Sequence, residues 1–292
     1  MRWIVGLDLR LASQGALRFA SWLARESRAA DGEELVGVHV LEEEHLRLVL
    51  RYHHLDEVIA RARTSAEEAL AAEGAARLIR ELEVVRDLRA EEGLEKARTS
   101  HRADAVIVAR HAGRESHAIV RLGRVARRLL RTLASPVIVV PPDLRADEIG
   151  EGPVLALTGL GDDSLAALRF AGRMAQRLGR ELGIAHAVAV PEEFGAYLPP
   201  QTLGRLLEVN QREGEQALAE WMKAHGLSAD ALAVLQGGAV ERALEHASAE
   251  GSPLLVTGSR QLSSVERVLL ASTGSALAAA APFAVAVVPP AS

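Results

Sequence analysis

The 292-residue sequence contains no cysteine, and aromatic residues make up only 3% of it. Disulfides, thiol chemistry and zinc sites of the cysteine type are therefore excluded, which favours a reducing compartment. Long apolar runs are missing from residues 1–20, where Arg2, Asp8, Arg10 and Arg18 interrupt the apolar positions. This pattern fits neither a signal peptide nor a membrane-spanning helix. We therefore expect a cytoplasmic protein with no membrane association.

Net positive charge is also missing. The formal net charge is −5, and the deficit lies in residues 149–292, which carry 10 basic and 15 acidic side chains against 24 of each before them. An acidic chain without basic residues interleaved with aromatics is a poor general binder of nucleic acid. We therefore do not expect nucleic acid to be a partner.

An internal repeat organises the chain. The segment Ala16–Ala20 recurs letter for letter as Ala167–Ala171, and each half closes with a valine-rich strand that ends in Val-Pro-Pro. Short apolar strands alternating with helices are typical of a parallel sheet covered by helices on both faces. The sequence thus predicts an α/β fold of two homologous doubly wound domains. We place them at residues 1–145 and 150–292, because acidic residues, two glycines and Pro153 interrupt the apolar pattern between them.

Two junctions between a strand and a helix are candidate anion sites. In the second half, an apolar strand at residues 254–256 runs through Thr257–Arg260 into a helix, and residues 106–113 form a weaker copy. Such a junction brings unpaired backbone N–H groups to the positive end of a helix dipole, which suits phosphate. Glycine also occurs at these turns for purely conformational reasons, so a structural role remains an alternative.

The order of these parts and three segments of the second half resemble the universal stress protein family in its tandem form. The segments are Gln236–Leu244, Pro253–Arg260 and Ala281–Val285. The resemblance implies a five-stranded parallel sheet of order 3-2-1-4-5 in each half, with ligands bound beside strands 1 and 4. It also implies a role in stress tolerance. In family members that bind ATP, an aspartate ends strand 1, a valine follows a strand-2 histidine, and a G-x2-G-x9-G-[S/T] loop surrounds the phosphates.

In the first half, the resemblance assigns the nucleoside side of a site to Asp8 and to Val40, which follows His39. The loop allows two alignments. Anchoring on Gly113 and Gly123 places Arg110 at the first glycine and Arg124 at the final Ser/Thr, whereas anchoring on Ala109 needs a one-residue insertion. Bulky side chains at these positions obstruct close approach of the backbone to phosphate. Seven arginines between Arg110 and Arg131 face only Glu115 and could bind phosphate instead.

The second half shows the reverse pattern. The residues that match the family loop are Gly258, Ser259, Arg260, Ser272 and Thr273. Gln261 and Ala271 stand at its second and third glycines, while Thr158 is read as the replacement of the strand-1 aspartate and Ala187 as that of the valine. The second half therefore retains part of the phosphate side, and neither half carries the complete set.

Several residues have a structural interpretation beside the functional one. Asp8 is as well suited to capping the following turn as to contacting a ligand. His39 and His186, in central strands, are interpreted as structural. The histidines at 45, 53 and 54 lack the H-E-x-x-H pattern, so no metal site is predicted there. No catalytic triad or carboxylate pair is recognisable, and we expect a protein without catalytic activity.

Two functional hypotheses follow. The first is a protein that acts through an unidentified protein partner without binding nucleotide tightly. The second is a sensor that binds ATP or AMP in one of its halves. In both, we expect the last strand of each half to lie at a sheet edge and the two domains to pair intramolecularly, because a proline after a strand suits an edge. A homodimer is a further expectation.

Overall fold

The computed structural model describes residues 1–10, 14–111, 122–191, 194–259 and 272–291. The chain forms two compact units. The first comprises Met1–Ile149 together with Ala278–Val287, and the second comprises Gly150–Leu277 together with Val288–Ser292. The domain limits of 1–145 and 150–292 stay a prediction. They mark the two copies of the repeat, whereas the two units are defined by which segments contact each other.

The first half alternates strands and helices as its pattern predicts. Its strands are β1 (Arg2–Gly6), β2 (Glu34–Glu42), β3 (Ile79–Asp87), β4 (Ala105–Ala109) and β5 (Val137–Val140). Its helices are α1 (Gly15–Glu26), α2 (Glu43–Val49), α3 (Leu55–Ala72), α4 (Ala90–Ser100) and α5 (Arg124–Thr132). Short 3-10 turns follow at Ala146–Glu148 and, in the second half, at Asp162–Ser164.

The second half repeats this plan. Its strands are β6 (Val154–Thr158), β7 (Leu182–Val188), β8 (Ala231–Gln236), β9 (Leu254–Gly258) and β10 (Ala284–Val288). Its helices are α6 (Leu165–Leu178), α7 (Phe194–Tyr197), α8 (Pro200–Ala224), α9 (Ala239–Ala249) and α10 (Thr273–Ala280). No helix within the described ranges combines the length and the apolar character that crossing a membrane requires.

The sheets confirm the predicted fold class. In the first unit the strand order is β3-β2-β1-β4-β5, and every one of these pairs is parallel. The second unit follows the same order through β8-β7-β6-β9, again in parallel. Strand order reverses between the first and fourth strands of each half. This is the switch point of a doubly wound sheet, where ligands bind beyond the carboxyl ends of the strands.

Strand β10, the last strand of the second half, lies beside β5. It groups with the first unit and pairs antiparallel with β5, where Val285 faces Val139 and Ala286 faces Ile138. Strand β5 is therefore the outermost of the first half's own five strands, as predicted, and β10 pairs with its outer side. The prolines after β5 fit this arrangement because they follow the strand and take no part in its ladder.

The core of the first unit lies on both faces of its sheet. The side chains of Trp3, Ile4 and Val5 in β1 are fully buried, and the residues of β2 and β4 that pair with these three are buried as well. This burial accounts for the uninterrupted apolar runs, since an alternating pattern is expected only where one face of a strand meets water. Helix α1 covers one face through Phe19 and Leu23, which are fully buried.

Gly15 begins helix α1 against the backbone that follows β5. A Cβ atom at this position would lie 1.8 Å from the Pro141 carbonyl oxygen. The Gly15 amide donates to the Pro142 carbonyl oxygen over 2.9 Å, which holds the two segments together. The first Val-Pro-Pro segment thus provides a surface on which the helix begins.

Candidate functional site

A cleft of about 530 Å³ lies in the first unit at the carboxyl ends of β1, β2 and β4. Its volume is within the range of small-molecule sites, which is roughly 300–1,000 Å³. The predicted residues Asp8, Val40 and Gly123 all line it. Apolar side chains form much of the remaining wall, and they are Val38, Leu94, Val108, Leu122, Val125 and Ala126.

Asp8 holds the turn after β1 and also faces the cleft. Its Oδ1 accepts the backbone N–H of Arg10 over 3.1 Å, and the Arg10 Nε donates to Oδ1 and Oδ2 over 2.9 and 2.8 Å. Hydrogen bonding to the Asp8 carboxylate raises the pKa of the Arg10 guanidinium. Arg10 Nη1 lies 3.1 Å from His111 Nδ1. Asp8 therefore has the capping role that the sequence allowed, at a position from which a ligand could also reach it.

A second ion pair also lines the cleft. Glu42, at the end of β2, is 9% exposed, and its Oε1 accepts the Ala90 amide of α4 over 3.0 Å. Its Oε2 accepts a hydrogen bond from Arg124 Nη2, in the first turn of α5. A carboxylate at the first turn of a helix is favoured by the helix dipole, so α4 helps to fix Glu42 in place.

Charge within the cleft is balanced. Three histidines aside, the described charged residues that line it are two carboxylates, Asp8 and Glu42, and two guanidinium groups, Arg10 and Arg124. Each guanidinium is thus already paired with a carboxylate in the same cleft. A polyphosphate entering here would have to compete with those carboxylates, because like charges disfavour each other at short range.

Sequence reasoning missed the roles of Arg10 and Glu42. Strand β2 continues through Glu42, and α2 begins at the next residue, Glu43. The sequence feature that indicates the role of Glu42 is its spacing from Val40. Residues two apart in a strand share a face, so if Val40 faces the ligand, Glu42 is expected to face it as well.

Arg110 does not line the cleft, although it was predicted as a phosphate contact. Its side chain is buried, with 1% exposure, and its Nη1 donates to the carbonyl oxygens of Ala279 at 2.7 Å and Ala278 at 3.5 Å. These carbonyls belong to the last turn of α10, where backbone acceptors have no partner within the helix. Arg110 thus serves as a donor to a helix end.

Gly123 precedes α5 at a φ of 72° and a ψ of 177°, a backbone conformation that side chains rarely adopt. A Cβ here would lie 2.4 Å from the Cβ of His111. Both observations require glycine, and the close approach brings His111 and the start of α5 together at the cleft. Gly113 lies outside the described residues.

The two histidines of the central strands make the same contact in both halves. His39 Nδ1 lies 2.9 Å from the Leu7 carbonyl oxygen, and His186 Nδ1 lies 3.0 Å from that of Thr158. The structural interpretation of both rings agrees with this geometry. The contact also makes Thr158 the equivalent of Leu7, so Gly159 is the equivalent of Asp8.

The assignment of Thr158 to the aspartate position was therefore wrong by one residue. The repeated Ala-Leu-Arg-Phe-Ala segment has the same spacing, since 167 − 16 and 159 − 8 both equal 151. Thr158 is 2% exposed, and its Oγ1 accepts the Leu160 amide over 3.0 Å. Its side chain closes a local turn, and the second half has no carboxylate at the aspartate position.

A second shared hydrogen bond decides between the two loop alignments. The amide of Arg110 donates to the Val140 carbonyl, and the amide of Ser259 donates to the Val288 carbonyl, each over 2.9 Å. Ser259 is thus equivalent to Arg110, and Gly258 is equivalent to Ala109. The connections to the next helices, residues 110–123 and 259–272, have equal length, so the Ala109 alignment needs no insertion relative to the second half.

The described loop residues of the second half have structural partners. A Cβ at Gly258 would lie 2.7 Å from the Asp163 carbonyl oxygen, so glycine allows β9 to pack against the turn at Asp162–Ser164. Ser272 Oγ accepts the Ser275 amide over 3.2 Å, and Thr273 begins the helix that this contact caps. Arg260 lies outside the described residues.

Comparison with known proteins identifies the family. The model of the universal stress protein family matches residues 1–141 and 152–289. A universal stress protein from Archaeoglobus fulgidus has a TM-score of 0.66 at 19% identity, over 99% of this chain and 98% of that one. A functionally unknown protein from Pseudomonas aeruginosa has a TM-score of 0.67 at 14% identity, over 99% and 92% of the two chains.

These structural likenesses concern the fold, and no curated protein matches the chain. The family match covers each half separately and leaves only residues 142–151 and 290–292 outside it. It agrees with the repeated strand order and with the shared hydrogen bonds of the two halves. This chain therefore belongs to the universal stress protein family and carries two family domains in tandem.

Proposed function

We propose that this stress-response protein of the universal stress protein family acts without catalysis and binds an adenine nucleotide in the cleft of its first half. The cleft carries the proposal, because it lies at the switch point and combines apolar walls with the carboxylate of Asp8. Val40 and Leu94 line the part suited to a flat base, and Asp8 is placed to accept hydrogen bonds from a nucleoside.

The charge balance favours a nucleotide with few phosphates, so we propose AMP over ATP. Among the described residues that line the cleft, Arg10 and Arg124 are paired with Asp8 and Glu42, so these four side chains provide little net attraction for a triphosphate. The amides at the start of α5 remain suited to a single phosphate group, since α5 begins beside the cleft at Gly123.

Calorimetric titration with AMP and ATP tests the proposal, with Val40→Trp as the cleft-filling variant. The indole would occupy the base-binding space, so we expect AMP affinity to fall by at least about tenfold. The matched control is Ala187→Trp, because Ala187 follows His186 as Val40 follows His39. Equal losses in both variants, or no saturable AMP binding by the wild type, would refute the proposal.

Glu42→Gln should reverse the preference for few phosphates. Glutamine keeps an oxygen for the Ala90 amide, while loss of the charge releases the Arg124 guanidinium. We expect ATP affinity to rise by about tenfold, which corresponds to about 1.4 kcal/mol. Glu43→Gln is the control, since Glu43 pairs with Arg86 and does not line the cleft. An unchanged ratio of ATP to AMP affinity in Glu42→Gln would contradict the charge argument.

A second candidate function is binding of a protein partner, here a second copy of the chain. Four apolar side chains at and just after α2 are exposed, and they are Leu48, Val49, Leu50 and Tyr52. A contiguous exposed apolar patch commonly marks an interaction surface. Sedimentation equilibrium of the wild type and of a Leu48→Asp/Tyr52→Ser variant tests it. A monomer in both would remove this candidate and leave nucleotide binding untouched.

A further inference from the structure

We propose that the first half binds a divalent transition-metal ion through Glu81, Glu83 and His101, at a place separate from the cleft. One ligand atom from each of these side chains lies within 4.8 Å of the others. His101 Nε2 is 2.9 Å from Glu83 Oε1. Two donors that bind one zinc ion at about 2.0–2.1 Å lie roughly 3.3 Å apart in tetrahedral geometry, so the His101–Glu83 pair is already near that spacing and the Glu81 oxygen approaches from within 4.8 Å.

The fold places the three side chains together. Glu81 and Glu83 are two apart in β3 and therefore share a face of the sheet. His101 is the C-cap residue of α4, the helix that follows β3, and its carbonyl oxygen accepts a hydrogen bond from Arg2 Nη1 over 2.5 Å. The backbone that carries the imidazole is thus anchored to β1. A preorganised donor set of this kind reduces the ordering that metal binding would otherwise require.

The ligand set points to a particular class of ion. One imidazole nitrogen and two carboxylates suit Zn²⁺ and similar divalent transition metals, with water completing the coordination. Mg²⁺ and Ca²⁺ prefer sites made of oxygen alone. The nearby guanidinium groups of Arg2 and Arg80 are both paired with Glu34, which limits their competition for the carboxylates.

The second half indicates that the fold itself does not need these residues. Glu81 pairs with Val36 and Glu83 with Val38, whereas the equivalent positions of β8 are Ala231 and Ala233, paired with Gly183 and Ala185. The C-cap residue of α9, at the place of His101, is Glu250. The two helix ends thus share a backbone conformation and carry different side chains. Of the two equivalent sets of positions, only the set in the first half combines a histidine with two glutamates.

Zinc titration of the tag-free full chain tests the proposal by calorimetry. We expect saturable binding of one ion at this site, weakened at least about tenfold in Glu83→Gln and in His101→Gln. The control is His53→Gln. His53, in the turn before α3, also faces a glutamate, Glu57, at 3.8 Å, but the described residues place no third ligand beside this pair. Excess Mg²⁺ should leave the zinc affinity unchanged. No saturable binding, or equal binding by the wild type and both variants, would overturn the proposal.

A second measurement uses only the wild-type protein, so it does not depend on whether a variant folds. Zinc should protect the His101 ring from acylation by diethyl pyrocarbonate, read by mass spectrometry, and should leave the modification of His53 unchanged. Equal modification of His101 with and without saturating zinc would overturn the assignment. The nucleotide titrations report on different residues, so failure here leaves the proposed nucleotide site standing, and the reverse also holds.

Discussion

Arg110→Ala should destabilise the protein by about 3–5 kcal/mol and leave nucleotide affinity unchanged. Truncation removes a large buried side chain and leaves the last carbonyls of α10 without the Arg110 donor. Cavity formation and an unsatisfied buried acceptor each cost on the order of 1–3 kcal/mol or more. Urea denaturation measures the change in the free energy of unfolding.

Two further variants separate the causes. Arg127→Ala removes an exposed arginine from α5 and should change the free energy of unfolding by less than about 0.5 kcal/mol. Arg110→Met keeps most of the buried volume but no donor, so its loss should be smaller than that of the alanine variant. A stable Arg110→Ala protein that has lost AMP binding would instead support the phosphate contact that the sequence predicted.

Gly15→Ala should cost about 3 kcal/mol, because the new methyl group meets backbone that cannot rotate away. The Cβ position lies 1.8 Å from the Pro141 carbonyl oxygen, and the same segment accepts the Gly15 amide. Overpacking of this kind forces the helix or the strand end to move. The midpoint of urea denaturation and the thermal midpoint should both fall.

Gly204→Ala is the matched control, since Gly204 also lies in a helix, α8, and a Cβ there would have no atom within 4 Å. This substitution should stabilise the protein by up to about 1 kcal/mol through helix propensity alone. Equal effects at the two glycines would show that the close contact at Gly15 relaxes without cost.

Much of the fold was predictable from local patterns. Apolar runs of strand length, helical segments between them and the repeated Ala16–Ala20 segment indicated two doubly wound domains, and the sheets confirm that fold class. The residues Asp8, Val40 and Gly123 were also selected correctly as neighbours in space, since all three line one cleft. Their role in binding nucleotide stays a prediction.

The alignment of the two halves needed hydrogen bonds that no motif specifies. The family glycine pattern allowed Ala109 or Arg110 at the first loop position, and the equivalent bonds of Arg110 and Ser259 to strand carbonyls decided for Ala109. A comparable contact of His39 and His186 moved the aspartate position from Thr158 to Gly159. The spacing of 151 residues between the two Ala-Leu-Arg-Phe-Ala segments already places Gly159 at the aspartate position, whereas Thr158 was assigned to it in the sequence analysis.

What the sequence determined by itself was the order and type of the elements, because the period of apolar residues depends only on neighbours along the chain. The tertiary structure decided which polar groups meet. Glu42 pairs with Arg124 across 82 residues, and Arg110 reaches carbonyls 168 and 169 residues away. Such contacts depend on the packing of distant segments, so the charge balance of the cleft and the burial of Arg110 became visible only once β2, α5 and α10 were in place.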